Sequence, residues 1–179
     1  VMDADGNNKT RLTTARNDNF PAWSPDGTRI AFSQEFSASG EIGIFVMNSD
    51  GTDQKRITAF GQQPAWAPDG SKLAFTNGLN IYSVNSNGSD IVQFTKQPTT
   101  NLVSDWDFAP AWSPDGTKIA FTRFVNCNGL DETCQAAEIW TANADGSGGR
   151  LLRGFPVSLT YVDDPAPSWS SDGSTIFFS

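Results

Sequence analysis

Two carboxylate pairs, Asp105/Asp107 in "SDWDF" and Asp163/Asp164 in "YVDDP", come nearest in this sequence to an acid–base site. Glycoside hydrolysis uses two such groups, set on opposite sides of a scissile bond. Adjacent or alternate residues of one segment do not give that opposition. Solvated or rim-lining acids, on loops leading into a strand, are therefore the expected role. A Ser-His-Asp arrangement needs an imidazole base, and the chain holds no histidine. Catalysis within these residues is not expected.

The same acids could hold a cation in a channel, and Asp3 and Asp5 of "DADGNN" have the look of a calcium loop. That pattern lacks the distal Glu after the Gly, and its equivalents recur along the chain as hairpin turns, so a structural turn is the better reading. Cys127 and Cys134 frame the polar stretch "NCNGLDETC". Two cysteines without a histidine suit a small disulfide staple better than a zinc site, with two free thiols as the alternative. A bridge would imply an oxidising compartment. No cofactor and no metal are expected.

The 179 residues carry a net charge of −8, from 12 basic and 20 acidic side chains. That sign opposes nucleic-acid backbones and anionic lipid heads, and its plain consequence is solubility. No apolar run approaches the roughly 18 residues of a membrane-spanning helix. The opening "VMDADGNNKT" does not read as a signal peptide, and an earlier removed one stays open.

What must position these residues is a repeat. "PAWSPDGTRIAFS" from Pro21 returns as "PAWAPDGSKLAFT" from Pro64, "PAWSPDGTKIAFT" from Pro110 and "PSWSSDGSTIFFS" from Pro167. The marker tryptophans are Trp23, Trp66, Trp112 and Trp169, spaced by 43, 46 and 57 residues. Periods of this size signify solenoids or propellers. Pro-Asp-Gly is a turn signal, and the pairs Ile30/Phe32, Leu73/Phe75 and Ile119/Phe121 fall two apart, on one face of a strand. A second box, "VMDADGNN", "VMNSDGTD", "SVNSNGSD" and "TANADGSG", places Asn or Asp near Gly between strand-like runs, a hairpin signal.

Four strands per unit follow, and the expected fold is an all-β propeller of four-stranded antiparallel blades. About four repeats are visible, with units near 20–61, 62–108, 109–164, and 165–179 combined with 1–19. One such sheet cannot bury both faces, so the repeated Trp and Phe residues are read as packing between blades rather than as a ligand cage.

The pairing of "PAWSPDGTRIAF" with "IFVMNSDGTDQKRIT" resembles the TolB-type propeller repeat, over almost the whole chain. That repeat is found in TolB and in the propellers of prolyl-oligopeptidase-like peptidases. The resemblance implies a protein-binding platform, or a gate beside a separate catalytic domain. The residues that carry it are turn formers and packing aromatics, so it supplies a class and not a task.

Both ends fall mid-blade, so the fourth blade would be split between them. Three arrangements stay open: an arc of a longer chain, a four-bladed ring with a thin last blade, and strand edges that another copy completes head to tail. Interaction is expected at the insertion Arg123 to Gln135, with Asn128, Asp131 and Glu132, and at Pro98 to Phe108, with Trp106. Asn8 in "NKT" and Asn87 in "NGS" are sequons beside the second turn. The leading reading is a non-catalytic scaffold for protein partners or for its own copies, periplasmic or extracellular. A peptidase gate and a channel binder of a small ligand or cation are the alternatives.

Overall fold

The computed structural model describes residues 1–14, 17–38, 40–96, 103–128, 134–156 and 165–178. Each copy of the tryptophan string builds the same hairpin. Its strands are β1 (Asp18–Trp23) with β2 (Arg29–Glu35), and β5 (Gln62–Trp66) with β6 (Lys72–Asn77). The other two are β9 (Val103–Trp112) with β10 (Lys118–Asn128), and β13 (Ser168–Trp169) with β14 (Ile176–Phe177). The register sets Trp23 opposite Ile30, Trp66 opposite Leu73, Trp112 opposite Ile119 and Trp169 opposite Ile176.

The second box closes a second hairpin in three units. These are β3 (Ile42–Asn48) with β4 (Lys55–Arg56), β7 (Asn80–Asn85) with β8 (Val92–Gln93), and β11 (Ala136–Asn143) with β12 (Arg150–Pro156). Among the described residues the result is three four-stranded antiparallel sheets, blades A, B and C, and the two-stranded sheet β13–β14. The fold is that of a β-propeller.

Proline explains an irregularity shared by blades A to C. Without an N–H it cannot donate to a ladder, so it sits at a bulge. The register shifts between Asn19 and Ala22, between Gln62 and Ala65, and between Ala120 and Thr122. The residues before the three prolines, Phe20, Gln63 and Ala109, take positive φ of 53°, 55° and 50°.

Alternation along β2, β6 and β10 then feeds two opposite faces. Ala31, Ile44 and Val46 of blade A meet Trp66, Leu73 and Phe75 of blade B, while Ala74, Ile81 and Phe94 of blade B meet Ile119 and Phe121 of blade C. Each fully buried large apolar side chain stabilises by roughly 1.5–3 kcal/mol over exposure. Indole nitrogens fix the stack: Trp66 Nε1 donates to the Ala22 carbonyl and Trp169 Nε1 to the Ala111 carbonyl, each at 3.1 Å.

Residues 1–14 carry the second-box hairpin turn. The Gly6 N–H donates to the Asp3 carbonyl at 2.9 Å, as Gly51 does to Asn48, and Asn8 has φ of 50° where Asp53 and Asp90 have 53°. Leu12 packs beside Ile30, Phe32 and Met47 on the outer face of blade A. These residues and β13–β14 lie at opposite ends of the stack, and among the described residues no backbone hydrogen bond joins them.

Two stretches expected as loops are strand. β9 starts at Val103, so Asp105 and Asp107 are strand residues and not loop residues. Arg123 to Asn128 continues β10 and is not loop: Arg123 to Val125 pair with β11, and Arg123, Phe124, Cys127 and Asn128 pair with β9.

The turn aspartates carry a measurable signature. The Ser24 hydroxyl first, then the Thr28 N–H and hydroxyl, hold Asp26 down at about 2. Ser113 with Thr117 does the same for Asp115, and Ser170 with Ser174 for Asp172, each at about 2. In blade B, Ala67 supplies no hydroxyl, and the Ser71 N–H followed by its hydroxyl lowers Asp69. A carboxyl depressed in the folded state adds stability above its unfolded value near 3.8, lost as pH falls toward about 2. An NMR titration should show Asp26, Asp115 and Asp172 ionised well below pH 3.8, and Ala67→Ser should move Asp69 down to join them.

Candidate functional site

Strand direction sorts the loops. β9 runs toward the Pro-Asp-Gly turn, β10 returns, β11 runs back toward the Asp-Gly turn and β12 returns. Both turn boxes therefore lie on one rim of every blade. The other rim carries the β9 start, the β12 end and the β10–β11 connection. This second rim, the loop rim, varies from blade to blade: β2 and β6 have 7 and 6 residues, whereas β10 has 11.

At the blade C end of this rim, Cys127 and Cys134 are joined by a disulfide. Cys127 is buried with Phe124 and Ala137, and Trp106, Phe108 and Cys134 pack against them. Trp106 is half-buried, edge-on to Phe108 at 6.4 Å between ring centres. It serves as packing under the rim more than as a free recognition residue. Asp105 accepts a hydrogen bond from the Asn126 N–H at 3.1 Å, and Asn126 sits at a second bulge with φ of 52°.

Asp107 has no solvent exposure, and Arg123 of the neighbouring strand clamps it. Arg123 Nε and the Asp107 carboxylate are 2.7 Å apart, and Nη2 reaches the second oxygen at 3.0 Å. The guanidinium also lies over the Trp140 ring at 4.5 Å. The Asp107 N–H donates to the Leu79 carbonyl of blade B at 3.0 Å, so this pair helps lock one blade to the next. A bidentate, ring-covered arginine leaves that carboxylate no role as an acid or base. The expected solvated or rim-lining character does not hold for Asp107, because strand β9 turns its side chain inward.

Arg123 is the residue that sequence reading assigned only to an insertion. The available signal was an Arg within the apolar run "FTRFV" and an Asp between Trp106 and Phe108, a charge on each of two neighbouring strands. Asp131, Glu132, Asp163 and Asp164 lie outside the described residues. Asn128 ends β10.

Asp3 and Asp5 belong to the opposite, turn-bearing rim. Asp5 accepts from the Asn7 N–H and side chain, each at 2.9 Å, and Asp3 from the Asn8 side chain at 2.7 Å. These acceptors bond their own turn, and among the described residues no cluster of three metal-ligating groups forms. Asn8 and Asn87 are both exposed on hairpin turns of that rim. No described helix is long and apolar enough to cross a membrane.

A family model for the TolB beta propeller domain matches residues 1–129. The chain belongs to that family. Its fold is similar to a TolB structure from Agrobacterium tumefaciens, with a TM-score of 0.73 and 20% identity over 94% of this chain and 61% of that one. It is also similar to a chain of a nidogen/laminin complex, with TM-score 0.64 and 15% identity over 88% and 54% of the two chains. A third likeness is to acylaminoacyl peptidase from Pyrococcus horikoshii, with TM-score 0.58 and 14% identity over 89% and 27%. The chain thus spans less than two-thirds of each of these structures. A sequence comparison with curated proteins finds no match.

Breaking a buried, paired charge costs about 3–5 kcal/mol, because the remaining partner is left unsatisfied. Asp107→Ala should lower the unfolding free energy by that amount in a urea titration. Asp105→Ala, which removes one exposed-side acceptor, should cost about 1 kcal/mol or less.

Proposed function

We propose that this TolB-family propeller arc is a non-catalytic scaffold that engages a protein partner through its loop rim, in an oxidising compartment outside the cytoplasm. The observation that carries the reading is the asymmetry of the two rims. One repeats the same short turns in every blade, whereas the other lengthens in blade C and is stapled there by Cys127–Cys134. Loops on a rigid scaffold are where binding residues concentrate, and per-repeat insertions mark the binding face. The bridge speaks for an oxidising surrounding.

A gate beside a catalytic domain is the second reading, supported by the likeness to the acylaminoacyl peptidase propeller. It needs a hydrolase segment in the same polypeptide, which the intact mass of the native protein would reveal.

A photo-crosslinking residue placed at Asn126, exposed beside the disulfide, tests the scaffold in the native host. The expected outcome is a discrete protein adduct at Asn126 and none at Asp50 on the turn rim. Equal labelling at both positions, or none at either, would overturn the rim assignment.

A further inference from the structure

The A/B and B/C blade junctions cover equivalent aromatic pairs with different groups. The register sets Phe75 opposite Tyr82 on blade B, and Phe121 opposite Trp140 on blade C. Between blades A and B a third ring lies over the pair: Phe60 is 5.9 Å from Phe75 and 5.9 Å from Tyr82, centre to centre. Between blades B and C a guanidinium stands there instead. Arg123 Cζ is 4.5 Å from the Trp140 ring centre and 5.5 Å from that of Phe121, and the two bonds to Asp107 hold it in place.

A guanidinium is smaller than a phenyl ring, and beside it lies a cleft of about 580 Å³, bounded by Val92, Lys96, Phe121, Trp140 and Gly149. Ligand sites commonly enclose roughly 300–1,000 Å³. One residue of the second box opens this cleft at its outer side. Gly149 holds the position of Gln54 in blade A and Ile91 in blade B, four residues beyond the turn Asp or Asn. A Cβ on Gly149 would stand 3.8 Å from Trp140 Cζ3 and 3.9 Å from Cε3, an ordinary contact, so the missing side chain leaves that edge of the indole uncovered.

The strand beside the opening is also unguarded. β8 is the outermost strand of blade B, as β4 is of blade A. Val92 pairs with Ser83 where Lys55 pairs with Val46, so a valine stands on blade B where blade A has a lysine. Lysine on an outer edge discourages pairing with another chain. Ile91 and Val92, 42% and 56% exposed, offer no such charge.

We propose that the B/C cleft receives an aromatic side chain of a protein partner, carried on an extended segment that adds to the free edge of β8. The molecule's own repeat names the occupant, since Phe60 is the group that covers the same aromatic pair one junction earlier. A planar guanidinium fixed on Trp140 also presents a cation–π surface to a further ring. Strand addition supplies main-chain hydrogen bonds and sends alternate side chains into pockets beside the edge. The side chain neighbouring Val92 then enters over Gly149 and meets the Trp140 indole. This site lies on the circumference between the two rims. It goes beyond the rim reading and does not depend on it.

A heteronuclear NMR titration of the 179-residue chain with two capped tripeptides, acetyl-Gly-Phe-Gly-amide and acetyl-Gly-Ala-Gly-amide, tests the site. The phenylalanyl peptide should move the Trp140 indole N–H and the Arg123 Nε–H resonances saturably, and the alanyl peptide should leave them in place. Gly149→Ile gives blade C the side chain that Ile91 supplies on blade B. Gly149 has no left-handed φ, so this variant should keep its melting transition and weaken the phenylalanyl peptide roughly tenfold or more. Val92→Lys, which puts the blade A residue on the exposed edge, should give the same loss if Gly149→Ile fails to fold. The site is overturned by the absence of a saturable shift at Trp140, by equal shifts from both peptides, or by undiminished binding to the folded variant. p-Cresol binding as tightly as the phenylalanyl peptide would overturn the peptide assignment and leave a cleft for small aromatic molecules.

Discussion

A four-stranded sheet with apolar side chains on both faces cannot stand alone, and that constraint organises this molecule. Each blade must be covered on two sides by others like itself. The covering contact is a large aromatic laid across the neighbouring sheet, with its one polar atom turned to a backbone carbonyl. Trp66 and Trp169 satisfy their indoles in this way on Ala22 and Ala111. The spacing of the repeat is the spacing of this contact. Its Pro-Asp-Gly turn and its bulge before proline deliver each tryptophan to the same height on each sheet.

Where the contact is incomplete, other groups take over. The Trp112 indole nitrogen, between blades B and C, is buried without an acceptor among the described residues. At this junction the Ala109 N–H donates to the Gln63 side chain at 3.2 Å, and the Asp107 N–H reaches the Leu79 carbonyl. The Asp107–Arg123 pair then holds Asp107 in place from within blade C. A charged pair in a blade interior is a costly device, and its position beside the least satisfied tryptophan gives it a structural reason.

The rims follow from the same economy of form. On the turn rim the backbone must reverse within two or three residues, and only a few residue types tolerate the angles needed, so Asp and Gly recur there. On the loop rim no such angle is imposed, and chain length is free to vary at small entropic cost. Blade C uses that freedom for longer strands and a disulfide-closed hairpin end.

The blades were legible in the residues alone, because strand alternation, turn chemistry and the tryptophan period are local properties written into every copy. It also marked Cys127, Cys134, Trp106 and the Asp105/Asp107 pair as residues outside the pattern. Tertiary structure decided what each of them does. Asp107 is buried and clamped by Arg123, sixteen positions away along the chain but on the adjacent strand. Trp106 turns into packing because β9 begins earlier than its turn signals indicate. The packing of each blade on the next was likewise invisible in the sequence. The angle between blades accumulates from many side-chain contacts, and no single stretch of residues carries it.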